Sequence, residues 1–192
     1  HVESWRHAYA GLLPEAYLAA LSVEEREAMW RSAFEQHPDR LVVASCEDRI
    51  VGFAAFGPSH DRDAPPNRAE IYAIYVAPTY WSTGVGRRLL LETLRRIQAA
   101  GNTAASLWVL ADNERAIRFY ERAGFSVEPQ SRKSIEIGGV VLDEVRYLRE
   151  VGPEFARVNP EVARTLGDAG SDPDVERILE GVAFLTGRIR QK

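Results

Sequence analysis

The segment "AEIYAIYVAPTYWSTGVGRRLLLETLRRIQAAGN", residues 69–102, constrains the fold of this chain more than any other. A run of β-branched, apolar and aromatic residues ends at Pro78, and a glycine pair, Gly84 and Gly86, opens a helix predicted over about 83–100. Val85, Leu89, Leu90, Leu94 and Ile97 fall on one side of that helix, which closes at Gly101-Asn102. The free amides of its first turn point at whatever sits in the loop. An anion is the natural occupant, because a helix N-terminus carries partial positive charge and glycine permits close backbone approach. Arg87 and Arg88 add full charge. The glycines are equally explained by the steric needs of a strand-to-helix turn, and the pair alone does not decide.

Two phosphate-binding patterns are excluded directly. A dinucleotide fingerprint needs a third glycine where Leu89 stands, and the following strand, "AASLWVLA", does not end in a ribose-binding acid. No Gly-Lys-Ser/Thr occurs, so a Walker loop fails as well.

On either side the pattern continues as a mixed α/β fold. Apolar residues recur at helical spacing up to Gln36, broken at Gly11 and Pro14, which predicts two or three helices covering one face of a sheet. "RLVVASC" and "RIVGFAAFG" flank the short polar "EDR" and read as an antiparallel hairpin; "PSHDRDAPPNR" is a polar loop. "AASLWVLA" suits a strand buried on both faces, "NERAIRFYERAG" is a short helix stopped by Gly124, and "FSVEPQ", "KSIEIGG" and "VVLDEVRYL" read as closing strands. Past Gly152 two helical segments are predicted around "DAGSD", with Val175, Ile178, Leu179, Val182 and Leu185 on one stripe. The expected division is a domain over 1–150 and an appended helical hairpin over 151–192, whose stripe packs back on the domain or pairs as a homodimer contact.

Composition narrows the function classes. With 192 residues and 45% hydrophobic content the chain can bury a substantial core. Net charge is −4 with both signs interleaved, which argues against nucleic acid as a partner. No apolar run approaches the roughly 20 residues of a membrane span and no signal peptide is recognisable, so the expected compartment is the cytoplasm, with no membrane partner. The single cysteine, Cys46, reads as a buried strand thiol. His7, His37 and His60 lie on unrelated segments without ligand spacing, and no metal site is expected.

"IYAIYVAPTYWSTGVGRRLL" resembles motif A of the GNAT superfamily of acetyl-CoA-dependent N-acetyltransferases, and "NERAIRFYERAGF" resembles its motif B. The resemblance runs from the N-terminal helices to about Leu148, and "FAAFGPSHDRD" also fits. It implies a mostly antiparallel mixed sheet flanked by helices, acetyl-CoA as co-substrate and an amine acceptor, either a small molecule or a peptide. The family's first edge strand is absent. Its loss would expose backbone on the neighbouring strand without touching the cofactor slot. The Gln or Arg that usually opens the phosphate loop is here Trp81, which removes a side-chain donor and leaves the backbone amides.

The resemblance also implies roles. Backbone amides of Ser82, Thr83, Gly84, Val85, Gly86 and Arg87 would cradle the pyrophosphate, with Trp81 and Ala116 bordering the cofactor. The backbone of Ile74, Tyr75 and Val76 would pair with the pantetheine arm, Val76 N–H polarising the thioester carbonyl. Tyr120 matches the tyrosine that protonates the departing thiolate, and otherwise reads as a core aromatic beside Phe119. Asn113 can cap its helix and contact the cofactor together. Glu70 begins the motif-A strand, sharing the alternation of Tyr72, Ile74 and Val76, and is either the base that deprotonates the amine or a strand-end carboxylate in solvent. The other family position for a base, five residues before Asn113, holds Trp108. Trp5, Tyr9, Trp30, Tyr72 and Trp108 are core aromatics or acceptor-pocket walls, and Asp61 and Asp63 attract a cationic amine or are solvated loop charges.

A second resemblance covers about 145–192. "DPDVERILEGVAFLTGRIRQK" and the residues before it look like the N-terminal segment of the TssF/VasA baseplate proteins of type VI secretion. "DEVRYLRE" would be an ending strand for one family and a starting helix for the other. A natural fusion, an engineered chimera and a gene-boundary artefact are all open; the missing strand and the ending at Lys192 favour an incomplete or rearranged reading frame. The leading expectation is a bacterial N-acetyltransferase acting by direct attack. The alternative is a non-enzymatic adaptor associated with a secretion baseplate.

Overall fold

The computed structural model describes residues 1–152 and Phe155. Three N-terminal helices, α1 (Val2–Ala8), α2 (Glu15–Ala19) and α3 (Val23–Gln36), precede the sheet. Ser22 caps α3, its hydroxyl accepting the Glu25 N–H at 3.1 Å, the residue pattern of a capping box. The hairpin follows as β1 (Leu41–Cys46) and β2 (Arg49–Pro58), then β3 (Arg68–Val76), α4 (Val85–Ala99), β4 (Ala104–Leu110), α5 (Glu114–Arg122), β5 (Ser126–Val127), β6 (Lys133–Ile137) and β7 (Val140–Glu150).

These strands form one sheet in the order β1-β2-β3-β4-β7-β5, with β6 also on β7. Every pairing is antiparallel except β3 with β4. The single parallel pair is the one that α4 connects, as a crossover between parallel strands requires. Leu89, Leu90, Leu94 and Ile97 of α4 are buried against Val42, Val51, Ala54, Phe56 and Ile71 of the sheet, which makes this face the main core. The opposite face is covered by the N-terminal helices. Trp30 and Phe34 of α3 pack on Leu41, Ala55 and Ala73, while Val2, Leu13 and Leu18 meet Ile137, Val140 and Leu142.

"DEVRYLRE" lies within β7, which is interior to the sheet and pairs with β4 along Ala104–Leu110. The main core continues past it. Val151 is fully buried and donates its N–H to Thr103 O at 2.8 Å, and Phe155 is buried in the same cluster. The remainder of the expected hairpin lies outside the described residues.

Candidate active site

β3 and β4 pair only at Arg68–Ala104, Ala69–Ala105 and Glu70–Ser106. Beyond that point β3 stays paired to β2 as far as Val76–Gly52, and β4 to β7 as far as Leu110–Glu144. Each strand is therefore held on its outer side while the inner edges diverge. Ala77 donates its N–H to Val51 O at 2.8 Å, and alternation along the strand then turns the Val76 and Ile74 N–H groups into the opening. Ile74, Tyr75 and Val76 line a cavity of about 840 Å³ that begins in this gap.

The loop after β3 is held against the strand end. Trp81 donates its indole N–H to Val76 O at 2.8 Å, and Ser4 donates to the same carbonyl at 3.1 Å. Trp81 thus acts as a clamp on the loop, with the Arg115 guanidinium stacked 3.3 Å over its ring. Thr83 closes the turn through its hydroxyl to Tyr80 O at 2.7 Å. Ser82 and Gly84 both take positive φ, 63° and 94°, and Gly84 is the N-cap of α4 without a side-chain hydrogen bond. A β-carbon at Gly84 would meet no atom within 4 Å, so that side of the loop is open; one at Gly86 would touch Phe119 and Val76 at 3.6 and 3.7 Å. Arg88 donates its N–H to Gly84 O at 3.0 Å as the first turn of α4 closes, so the Val85 and Gly86 amides ahead of it belong to the turn that a helix leaves without helical acceptors.

α5 forms the facing wall. Asn113 caps it, its side-chain oxygen accepting the Ala116 N–H at 3.2 Å, and both residues line the cavity. Tyr120 lines it too, one ring edge-on to Phe119 and Phe125 at 5.1 and 5.8 Å. Burial, reinforced by the nearby Tyr75 phenol, raises the Tyr120 hydroxyl well above the ordinary tyrosine range, so it holds its proton at neutral pH. Packing and proton donation are compatible for this residue.

Glu70 departs from the alternation expected of it. The β2–β3 register skips Tyr72, where β3 carries one extra residue, so Ala69 and Ile71 share the α4 face with Ile74 and Val76. Glu70 falls on the opposite face, with Ala73 and Tyr75. Its carboxylate accepts the His60 N–H at 2.8 Å and the Ser59 hydroxyl at 3.3 Å, and it is absent from the cavity lining. Asp61 and Asp63 are likewise taken: both pair with Arg146, at 3.0 and 2.7 Å, and Asp61 also accepts the Trp108 indole N–H at 3.1 Å. The Arg146 hydrogen bond depresses Asp63 to a pKa of about 2.

One residue that sequence reasoning passed over is in the cavity. Glu144, near the start of β7, is the only carboxylate among its described lining residues, whereas Arg87, Arg115, Arg118 and Arg122 line the side formed by α4 and α5. Only the β4–β7 register, which sets Glu144 opposite Leu110, could have revealed it. Trp5, Tyr9, Tyr72 and Trp108 also line the cavity; Trp30 lies in the α3 packing instead.

Residues 3–125 match the sequence model of the acetyltransferase (GNAT) family, and residues 142–192 match that of TssF of the type VI secretion system. The chain is 32% identical over 145 residues to an uncharacterized N-acetyltransferase, YuaI, of Bacillus subtilis, a match covering 76% of this chain and 80% of that protein. Against a mycothiol acetyltransferase of Propionibacterium freudenreichii identity is 38% over 110 residues, 56% of this chain but only 34% of the relative's length. The crystal structure of PaiA N-acetyltransferase from Thermoplasma acidophilum in complex with coenzyme A superposes with a TM-score of 0.58 at 23% identity, over 78% of this chain and 87% of that one.

Proposed function

We propose that this chain, which belongs to the GNAT acetyltransferase family, transfers an acetyl group from acetyl-CoA to a primary amine by direct attack. The observation that carries this reading is the parting of β3 and β4 after Glu70–Ser106, beside the uncapped start of α4. The residues suit a long ligand that is anionic at one end. The open side of Gly84, the N-terminus of α4 and the arginines of α4 and α5 favour a pyrophosphate, and the Ile74 and Val76 N–H groups on the inner edge of β3 offer hydrogen bonds to an amide-bearing arm.

Acetyl-CoA supplies the acetyl group as an activated thioester. We assign the amides from Ser82 to Arg87 to its phosphates, with Trp81 holding that loop in place and Asn113 and Ala116 at the facing wall. Ile74, Tyr75 and Val76 pair with the pantetheine arm, and the Val76 N–H stabilises charge on the carbonyl oxygen during attack. Tyr120 gives its proton to the departing sulfur. Glu70 holds the 59–61 loop through the Ser59 hydroxyl and the His60 N–H, and its direct role as base has no support from the cavity lining. The expected compartment is the cytoplasm, on the single cysteine and on the absence, among the described residues, of a helix long and apolar enough to cross a membrane.

The second reading, an adaptor associated with a secretion baseplate, is favoured by the match at 142–192. The first residues of that match belong to β7, an interior strand of the sheet, so the segment cannot be detached from the acetyltransferase fold without opening it. Thiol release from acetyl-CoA, followed over a panel of amines, separates the two. An enzyme releases coenzyme A with at least one amine above the hydrolysis rate, while an adaptor gives no amine-dependent release.

A further inference from the structure

We propose that the acceptor half of the cavity takes a primary monoamine on an aromatic or apolar body, with Glu144 binding its ammonium group and accepting its proton. This rests on the acetyltransferase reading above.

The charge of the cavity wall is partitioned. Its arginines stand on the α4 and α5 side, where the cofactor phosphates are assigned, and Glu144 is the one carboxylate in the described lining. A cavity built this way places an anionic ligand at one end and a cationic one at the other. Around Glu144 the walls are apolar and aromatic, with Tyr9, Leu13, Trp108, Ile135 and Ile137 in the lining. Such surfaces bind a hydrophobic body and, through the indole face of Trp108, a cation.

The protein already presents a primary ammonium there. Lys133 Nζ lies 3.2 Å from Glu144 Oε1 and 3.5 Å from the centre of the Trp108 ring. Its side chain is 46% exposed, against 15% for Glu144, so the lysine enters from solvent onto a carboxylate fixed in the wall. A substrate ammonium can take the same place while Lys133 swings outward on its flexible stem. The neighbouring charges are paired with one another: Arg146, 5.4 Å from the Trp108 ring, is held by Asp61, Asp63 and Glu128, and Asp61 also accepts the Trp108 indole N–H at 3.1 Å. Tyr9, whose phenol feels the Glu144 charge, is neutral at working pH.

In the reaction Glu144 takes one proton from the bound ammonium, and the freed nitrogen lone pair forms the N–C bond to the thioester carbonyl. The C–S bond then breaks, sulfur receives the Tyr120 proton, and the nitrogen loses its second proton, which restores Tyr120 through solvent. Net release is one proton, from Glu144, for each amide formed. A polyamine brings a second ammonium for which the described lining has no second carboxylate. An α-amino acid brings a carboxylate into the neighbourhood of Glu144.

The test uses the full chain with phenethylamine and spermidine as probes, in wild type, Glu144→Gln and Lys133→Met, with acetyl-CoA affinity measured alongside by calorimetry. We expect kcat/KM for phenethylamine to exceed that for spermidine by roughly tenfold or more, and Glu144→Gln to raise the phenethylamine KM about tenfold and lower kcat at neutral pH. That kcat deficit narrows as pH approaches the amine pKa, acetyl-CoA affinity is unchanged, and Lys133→Met lowers the phenethylamine KM. Calorimetric titration of phenethylamine in the presence of coenzyme A shows the same weakening in Glu144→Gln. Normal acetyl-CoA binding together with an unchanged amine KM and binding isotherm in Glu144→Gln overturns the assignment of Glu144, and a preference for spermidine overturns the monoamine class. Failure of wild type to bind acetyl-CoA overturns the acetyltransferase reading itself and this proposal with it.

Discussion

Glu70 and Ser106 form the last paired rung between β3 and β4, and from there the two strands part around the cavity. The six-residue rise from Glu70 to Val76 corresponds to about 20 Å of strand, long enough for the gap to hold an extended arm beside the phosphate loop. The slot is therefore a property of strand register, and the residues that end it, Val76 and Gly84, control what it holds.

Gly84 tests the phosphate end. At φ 94° any side chain there is strained, at a cost of roughly 1–2 kcal/mol, although a β-carbon meets no atom. Gly84→Ala should show that strain as a lowered melting temperature with acetyl-CoA binding retained. Gly84→Glu should carry the same strain and lose binding by calorimetry, because its charge occupies the place of the pyrophosphate.

Tyr120 tests the proton donor. With its hydroxyl kept protonated by burial, Tyr120→Phe should reduce kcat by roughly 10²-fold while acetyl-CoA affinity stays constant. A solvent isotope effect present in wild type and altered in the variant, under conditions where chemistry limits turnover, separates this from a packing defect.

Much of this arrangement was legible in the sequence, for identifiable reasons. Helix periodicity in 83–100 and the strand runs on either side came from side-chain patterning, which needs no partner to be read. The extra residue at Tyr72 left no such trace, since a bulge is defined by two strands together, and it moved Glu70 to the other face. Glu144 was invisible for the same reason: its neighbours Lys133 and Trp108 are contributed by β6 and β4. Trp81 could be seen as a missing donor in the loop, but its bond to Val76 O needed the fold.

Val151 and Phe155 show where a truncation can be made. Both are buried in the main core, so cutting after Glu150 should destabilise the domain, and Phe155→Ala alone should cost about 3 kcal/mol in denaturant unfolding. A chain ending just beyond Phe155 should keep the wild-type midpoint if the later residues add nothing to this core.

Asp63 contributes to the acid dependence alongside Glu92 and Asp143, whose hydrogen-bond partners, arginines among them, also hold their carboxyls below the usual range. Its folded pKa of about 2 lies below the ordinary value of 3.8, so the Asp63–Arg146 bond stabilises the protein at pH above about 4 and that contribution is lost as pH falls toward 2. Asp63→Asn should lower stability near neutrality and flatten its decline between about pH 4 and pH 2, as followed by thermal melts across that window.

The central claim, that the gap beyond Glu70–Ser106 holds acetyl-CoA, is tested most directly by amide hydrogen exchange on the full chain with and without acetyl-CoA. Peptides containing Ile74–Val76 and Ser82–Arg88 should gain protection, with β1 unchanged. Saturating acetyl-CoA that leaves exchange in both peptides unaltered would contradict the claim.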